Sequence, residues 1–202
     1  TGSGLLGGAS VLESALIASR PATIVSYNDS MVILRAGDSG LNETGDQDIG
    51  EVELIGSTGA RIVSDENAFV YLVEGNITSI NPAVGPGFMT VTIQGTSLFG
   101  GASTVESVSL GGNDASIQTA SETEIVVVSS DAKPDTVLYT PLAVVITSTS
   151  GATVTLEDGW TYLPSGNISS VTPSSGQVGT EVVIEGTAFL SGGSSISQVS
   201  LD

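Results

Sequence analysis

The segment GLLGGASVLES at Gly4–Ser14 returns almost unchanged as SLFGGASTVES at Ser97–Ser107, ninety-three positions later. With that shift, residues 2–37 lie over 95–130 without a gap. Further on the offset falls to 92 and then 91. GARIV at 59–63 matches GATVT at 151–155, and Phe69-Val70-Tyr71-Leu72 matches Trp160-Thr161-Tyr162-Leu163. The next stretch repeats as well: GNITSINPAVG (75–85) with GNISSVTPSSG (166–176), and VTIQGTSLFGG (91–101) with VVIEGTAFLSG (182–192). Few features constrain a fold more, because every copy must be the same packing unit. A period of 91–93 residues suits a small seven-strand sandwich of roughly 100 residues.

The residues within one period are those of strands and turns. Valine, isoleucine and threonine abound, glycine is frequent, and blocks of helix-forming Lys, Glu and Ala are missing. The complete copy, about 76–163, reads as strands at Ile77–Ile80, Phe88–Gln94, Val105–Leu110, Ala115–Thr119, Glu124–Ser129, Leu142–Ser148 and Ala152–Tyr162. Met89, Val91 and Ile93 alternate with Thr90, Thr92 and Gln94, which predicts one face inward and one outward. The turns GGND and DAKPD carry the residues that turns require. The glycine-rich segment after the second strand is expected to need positive φ or a close backbone approach.

ITSINPAVGPGFMTVTIQGTSLFG resembles the opening of an IPT/TIG domain, an immunoglobulin-like fold of plexins, some transcription factors and many secreted microbial proteins. The residues that carry the resemblance are Ile77, Ile80, Pro82, Gly85, Val91, Ile93, Gly95 and Leu98. Ile168, Val171, Pro173, Gly176, Val182, Ile184, Gly186 and Phe189 repeat them, and the closing GWTYL and AFVYL resemble the family's aromatic last strand. The resemblance implies an all-β chain of tandem immunoglobulin-like β-sandwiches. The expected domains are 1–74, a first repeat lacking its opening strands; 75–164, a complete repeat; and 165–202, the opening strands of a third. Such a resemblance specifies fold far better than function, because the family serves as spacer, binding module and dimerisation unit alike.

Charge and composition exclude several functions. Against 22 acids stand one Lys and three Arg, a net charge of −18. Such a chain is repelled by phosphate backbones, so no nucleic acid is expected, and an anionic membrane surface is equally unsuited. No apolar run reaches the ~18 residues of a membrane helix, so no membrane insertion is expected. Without His or Cys the usual nucleophiles and bases are missing, which predicts no enzyme, no catalytic residue and no cofactor.

The remaining chemistry is sparse. The loop GDSGLNETGDQDIGE (37–51) offers Asp46, Asp48 and Glu51 as hard ligands for calcium, but it lacks the EF-hand pattern and reads better as a solvated hairpin loop. Trp160 and Tyr162 lie two apart, as a sugar-stacking pair would. Phe69 and Tyr71 occupy the same positions in the first copy, and a pair repeated in a final strand reads as core. Four N-x-S/T sequons, at Asn28, Asn42, Asn76 and Asn167, are candidate glycan sites, and Asn76 and Asn167 are equivalent.

The reading is a non-enzymatic extracellular or cell-surface structural protein, a glycosylated rod- or fibre-forming array of Ig-like repeats. Head-to-tail self-association is expected, with residues 167–185 of one unit completing a first repeat that lacks the equivalent of 76–94. The alternative is a carbohydrate- or protein-binding accessory module array of a secreted or cell-surface protein. Short junctions, LVEGN and LPSGN, favour the array, and an exposed aromatic cluster would favour binding.

Overall fold

The computed structural model describes residues 4–41, 47–133, 136 and 138–200, and no helix occurs among them. The chain is all-β. It divides into two compact units, Thr1–Glu74 and Gly75–Asp202.

The second unit holds β8 (Asn76–Asn81), β9 (Val84–Gly85), β10 (Thr90–Thr96), β11 (Val105–Leu110), β12 (Asn113–Ala120), β13 (Glu124–Val128), β14 (Pro141–Ser148), β15 (Thr153–Tyr162), β16 (Asn167–Thr172) and β17 (Val183–Thr187). Hydrogen bonding runs in the order β8-β10-β13-β12-β11-β14-β15-β9. The ribbon folds over at β12, whose start pairs with β11 and whose end pairs with β13. The result is a sandwich with β8, β10 and β13 in one layer and β11, β14 and β15 in the other. Between them lie Ile77, Val91, Ile93, Leu98, Val108, Leu110, Ile125, Val127, Val144, Ile146, Trp160 and Tyr162, all almost wholly buried. Alternation along β10 puts Val91 and Ile93 in this core, while Thr90 and Gln94 face solvent. Each fully buried aliphatic side chain contributes roughly 1.5–3 kcal/mol over its exposed state.

In the first unit the strands are β1 (Leu12–Ile17), β2 (Arg20–Tyr27), β3 (Val32–Arg35), β4 (Gln47–Gly50), β5 (Val52–Gly56), β6 (Arg61–Val63) and β7 (Phe69–Leu72). Two sheets form, β3-β2-β1-β5-β6 and β4-β7. β1 and β2 correspond residue for residue, at an offset of 93, to β11 and β12. Where β14 is continuous but bulged between Leu142 and Val144, the first unit breaks the strand into β4 and β5.

Backbone geometry repeats with the sequence. Gly7 and Gly8 have φ of 57° and 80°, and Gly100 and Gly101 have 55° and 80°. The same tight turn is closed by Gly7 N–H to Gly4 O at 2.9 Å, Gly100 N–H to Ser97 O at 2.9 Å, and Ser191 N–H to Ala188 O at 3.0 Å. The opening glycine motif recurs because this turn needs left-handed backbone. A second glycine of the motif has another cause. A Cβ on Gly95 would run into the Asn76 carbonyl oxygen, and one on Gly186 would run into that of Asn167. Both sit where neighbouring strands approach too closely for a side chain.

Candidate binding site

The repeat sorts the aromatic residues. Trp160 and Tyr162 are completely buried and meet edge-to-face, with ring centroids 5.6 Å apart. Phe69 and Tyr71 make the same contact at 5.0 Å. The first pair belongs to the core, and in the second Tyr71 is buried and Phe69 half-buried, so neither presents an exposed stacking platform. Burial pushes the phenols of Tyr71 and Tyr162 above their usual range.

Phe88 and Tyr139 behave differently. They are 75% and 68% exposed, and both are held at φ 63°. Phe88, which the alternation places at the start of a strand, lies instead ahead of β10. Its N–H donates to Ser129 O at 2.8 Å, while the hydroxyl of the buried Ser129 accepts from Met89 N–H at 3.0 Å. Tyr139 N–H donates to Tyr162 O at 2.9 Å, and Leu163 N–H to Gly85 O at 2.9 Å. β9 pairs in parallel with the end of β15, Tyr162 opposite Gly85. The two rings therefore stand on loops at the same end of one sandwich. Tyr139, Leu163 and Pro164 form one wall of an open apolar groove of about 400 Å³, and Phe189 and Leu190 form the other.

Left-handed backbone costs a bulky residue about 1–2 kcal/mol, so such outliers point to a use. The position equivalent to Phe88 in the third copy is Gly179, at φ 89°, and that equivalent to Tyr139 in the first is Gln47. Neither aromatic is demanded by the repeated fold.

Of the loop 37–51, residues 42–46, which include Asn42 and Asp46, lie outside the described residues, and Gln47–Gly50 form β4. Asp48 is taken by Arg20, with Nη2 to Oδ2 at 2.9 Å, and Arg20 also lies 5.7 Å from the Tyr71 ring centre. Among the described residues no three carboxylates converge on a metal position, and no helix is long and apolar enough to cross a membrane. Asn28, Asn76 and Asn167 are exposed; Asn76 and Asn167 each open a strand, β8 and β16. Asn28 caps the β2–β3 turn, its Oδ1 accepting from the backbone N–H of Ser30 at 2.9 Å and of Met31 at 2.8 Å.

No curated protein sequence matches the chain. Among solved structures it is similar to the Plexin A4 full extracellular region, domains 1 to 10, at 16% identity over 81% of this chain and 14% of that one, TM-score 0.46. It is also similar to SGBP-B of the Bacteroides ovatus mixed-linkage glucan utilization locus, in complex with a mixed-linkage heptasaccharide, at 16% identity over 78% and 39%, TM-score 0.36. SGBP-B from a complex xyloglucan utilization locus in Bacteroides uniformis gives 13% identity over 80% and 47%, TM-score 0.34. The chain spans less than half the length of each. These weak likenesses concern fold and carry no weight for function. The IPT/TIG domain family matches residues 76–158, the sandwich that bears Phe88 and Tyr139, and the chain therefore carries an IPT/TIG domain.

Proposed function

We propose that the chain is a non-enzymatic array of immunoglobulin-like modules of an extracellular or cell-surface protein, and that its middle module binds a neutral glycan through Phe88 and Tyr139. The observation that carries this reading is the pair of exposed rings, unrepeated in the other copies and held in costly backbone. An aromatic face covers the apolar C–H side of a sugar ring while leaving its hydroxyls in water. The net charge of −18 opposes anionic polysaccharides and leaves neutral ones as the fitting class. The absence of His and Cys from the sequence supports a non-enzymatic role.

Affinity electrophoresis tests the reading, with soluble mixed-linkage glucan or xyloglucan cast in the gel and polygalacturonate as the anionic comparison. The neutral polymers are expected to retard the protein. Phe88→Gly with Tyr139→Gln, which installs the residues of the equivalent positions, is expected to run freely with an unlowered melting temperature. Equal retardation of the double variant, or none of the parent protein, overturns the assignment.

The exposed sequons Asn28, Asn76 and Asn167 support covalent glycosylation in a eukaryotic host, and Asn42 belongs to the same proposal by sequence alone. Intact-glycopeptide mass spectrometry of native material checks it, and unmodified asparagines at all four refute it. The fibre-forming reading draws on a different feature, the repeat itself and its short junctions, LVEGN and LPSGN.

A further inference from the structure

Asp131 lies against both loops of the ring site. On one side is Gly87, next to Phe88. A Cβ there would fall 2.6 Å from Asp131 Cα and 2.7 Å from its Oδ1, so only glycine lets the carboxylate sit this close to the Phe88 loop. On the other side the Ser165 hydroxyl donates to Asp131 Oδ1 at 2.6 Å, across thirty-four residues of chain. Ser165 follows Leu163 and Pro164, which share a groove wall with Tyr139. So short an O–H···O⁻ bond is charge-assisted, and it orients a side chain that exposure would otherwise leave to turn freely. Among the described residues the ion pairs are Arg20 with Asp48 and Arg61 with Glu53, so Asp131 has no cation of its own. Lys133, two positions on, turns its Nζ to Gly112 O at 3.0 Å.

The repeat again separates use from fold. In the first unit the equivalent of Asp131 is Asp38, whose Oδ1 accepts from Gly40 N–H at 2.6 Å and so serves its own turn. The equivalent of Ser165 is Glu74, a second carboxylate in place of a donor, and the third-copy equivalent of Gly87 is Val178. The arrangement belongs to the middle module, as Phe88 and Tyr139 do.

We propose that Asp131, oriented by Ser165, is the specificity-determining residue of the ring site, accepting hydrogen bonds from unsubstituted hydroxyls of a neutral glycan laid on Phe88 and Tyr139. This role rests on the reading of those rings as the glycan platform. An aromatic face covers the C–H groups of many sugars alike and does not tell a free hydroxyl from an acylated one. A carboxylate does, because it only accepts. It has about four lone-pair sites, of which Ser165 occupies one. Hydroxyls donate to the others, whereas an O-acetyl group sets oxygen against oxygen. The same charge repels the carboxylate of a uronic acid, so anionic polymers are rejected at the site as well as by the net charge.

Affinity electrophoresis of the full chain separates this residue from the rings. Mixed-linkage glucan is expected to retard the parent protein more than the same polymer O-acetylated. Asp131→Ala is expected to raise the dissociation constant for the plain glucan about tenfold, because a hydrogen bond to a charged group is lost while the rings remain. It is expected to run alike in the two gels. Asp131→Asn keeps an acceptor oxygen without the charge and is expected to fall between Asp131→Ala and the parent. Both variants are expected to melt with the parent, since the side chain is exposed. Glu106→Gln makes the same change of net charge at an exposed position of β11 and is expected to leave the retardation unchanged. Equal retardation of Asp131→Ala and the parent overturns the proposal and leaves the ring site standing. So does a preference for plain glucan that is missing from the parent or persists in Asp131→Ala, and so does an equal loss in Glu106→Gln. A parent protein that neither polymer retards removes the ring reading itself, and the role of Asp131 with it.

Discussion

At the scale of single residues, the two copies act as controls for one another. Ala18 and Ser19 close the β1–β2 hairpin at φ 47° and 62°, and the equivalent Gly111 and Gly112 close β11–β12 at 57° and 78°. Two-residue hairpins of this kind take positive φ at both positions, which glycine adopts freely. Ser19 is exposed, so replacing it loses no packing. Left-handed strain of about 1–2 kcal/mol outweighs glycine's entropic cost of about 0.5–1. Ser19→Gly is therefore expected to stabilise the first unit by up to about 1 kcal/mol, read from a denaturant midpoint. The opposite extreme is Ile93, wholly buried between the layers. Ile93→Asp sets an unpaired carboxylate in the core at a cost of several kcal/mol, comparable to the stability of a domain. It is expected to abolish the cooperative melting of the second unit, and an unchanged melt would refute the inward assignment of that face. The alternation of β10 made this residue legible in the sequence. Phe88 was not legible: one apolar letter ahead of an alternating strand reads as its first residue, and nothing local reports a positive φ.

At the scale of elements, equivalent positions take different partners. Asn113 is fully buried. Its Nδ2 donates to Gly111 O at 3.2 Å and Thr136 Oγ1 at 3.0 Å, and its Oδ1 accepts from Lys133 N–H at 3.0 Å. The β13–β14 loop is thereby pinned to the β11–β12 turn. In the first unit that position is Arg20, which reaches Asp48 instead. Asn113→Ala leaves these buried groups unpaired at about 1–3 kcal/mol and is expected to free the loop in hydrogen exchange. The hairpin β5–β6 carries a cross-strand ion pair, Arg61 Nη2 to Glu53 Oε2 at 2.8 Å, with Arg61 Nε also bonded to Oε1. The Arg61 hydrogen bond holds the Glu53 carboxyl below its usual range, although burial opposes it. A depressed folded-state value stabilises above the unfolded glutamate pKa of about 4.3, and that stability disappears as pH falls through the folded value. The first unit should lose stability on acidification below about pH 4.3, and Arg61→Gln should flatten that dependence. Long strands were readable because a copy 93 residues away repeats their pattern. β9 was not, because two residues have no period and its partner at the end of β15 is found only in the folded sandwich.

At the scale of the whole molecule, the two units differ in how much core they close. Fourteen buried residues form one cluster in the second, and Leu12, Ala15 and Leu54 form the corresponding cluster in the first. Val25, Ile33, Ile49 and Val63 of the first unit stay 44–56% exposed. A small domain converts buried apolar area into a narrow margin of stability, so the unit with the smaller buried cluster has the smaller margin. Two thermal transitions are therefore expected, and Ile93→Asp removes the upper one while leaving the lower. Calorimetry of the parent chain and of Ile93→Asp checks both statements: a single transition in the parent, or loss of both in the variant, refutes the independence of the two units.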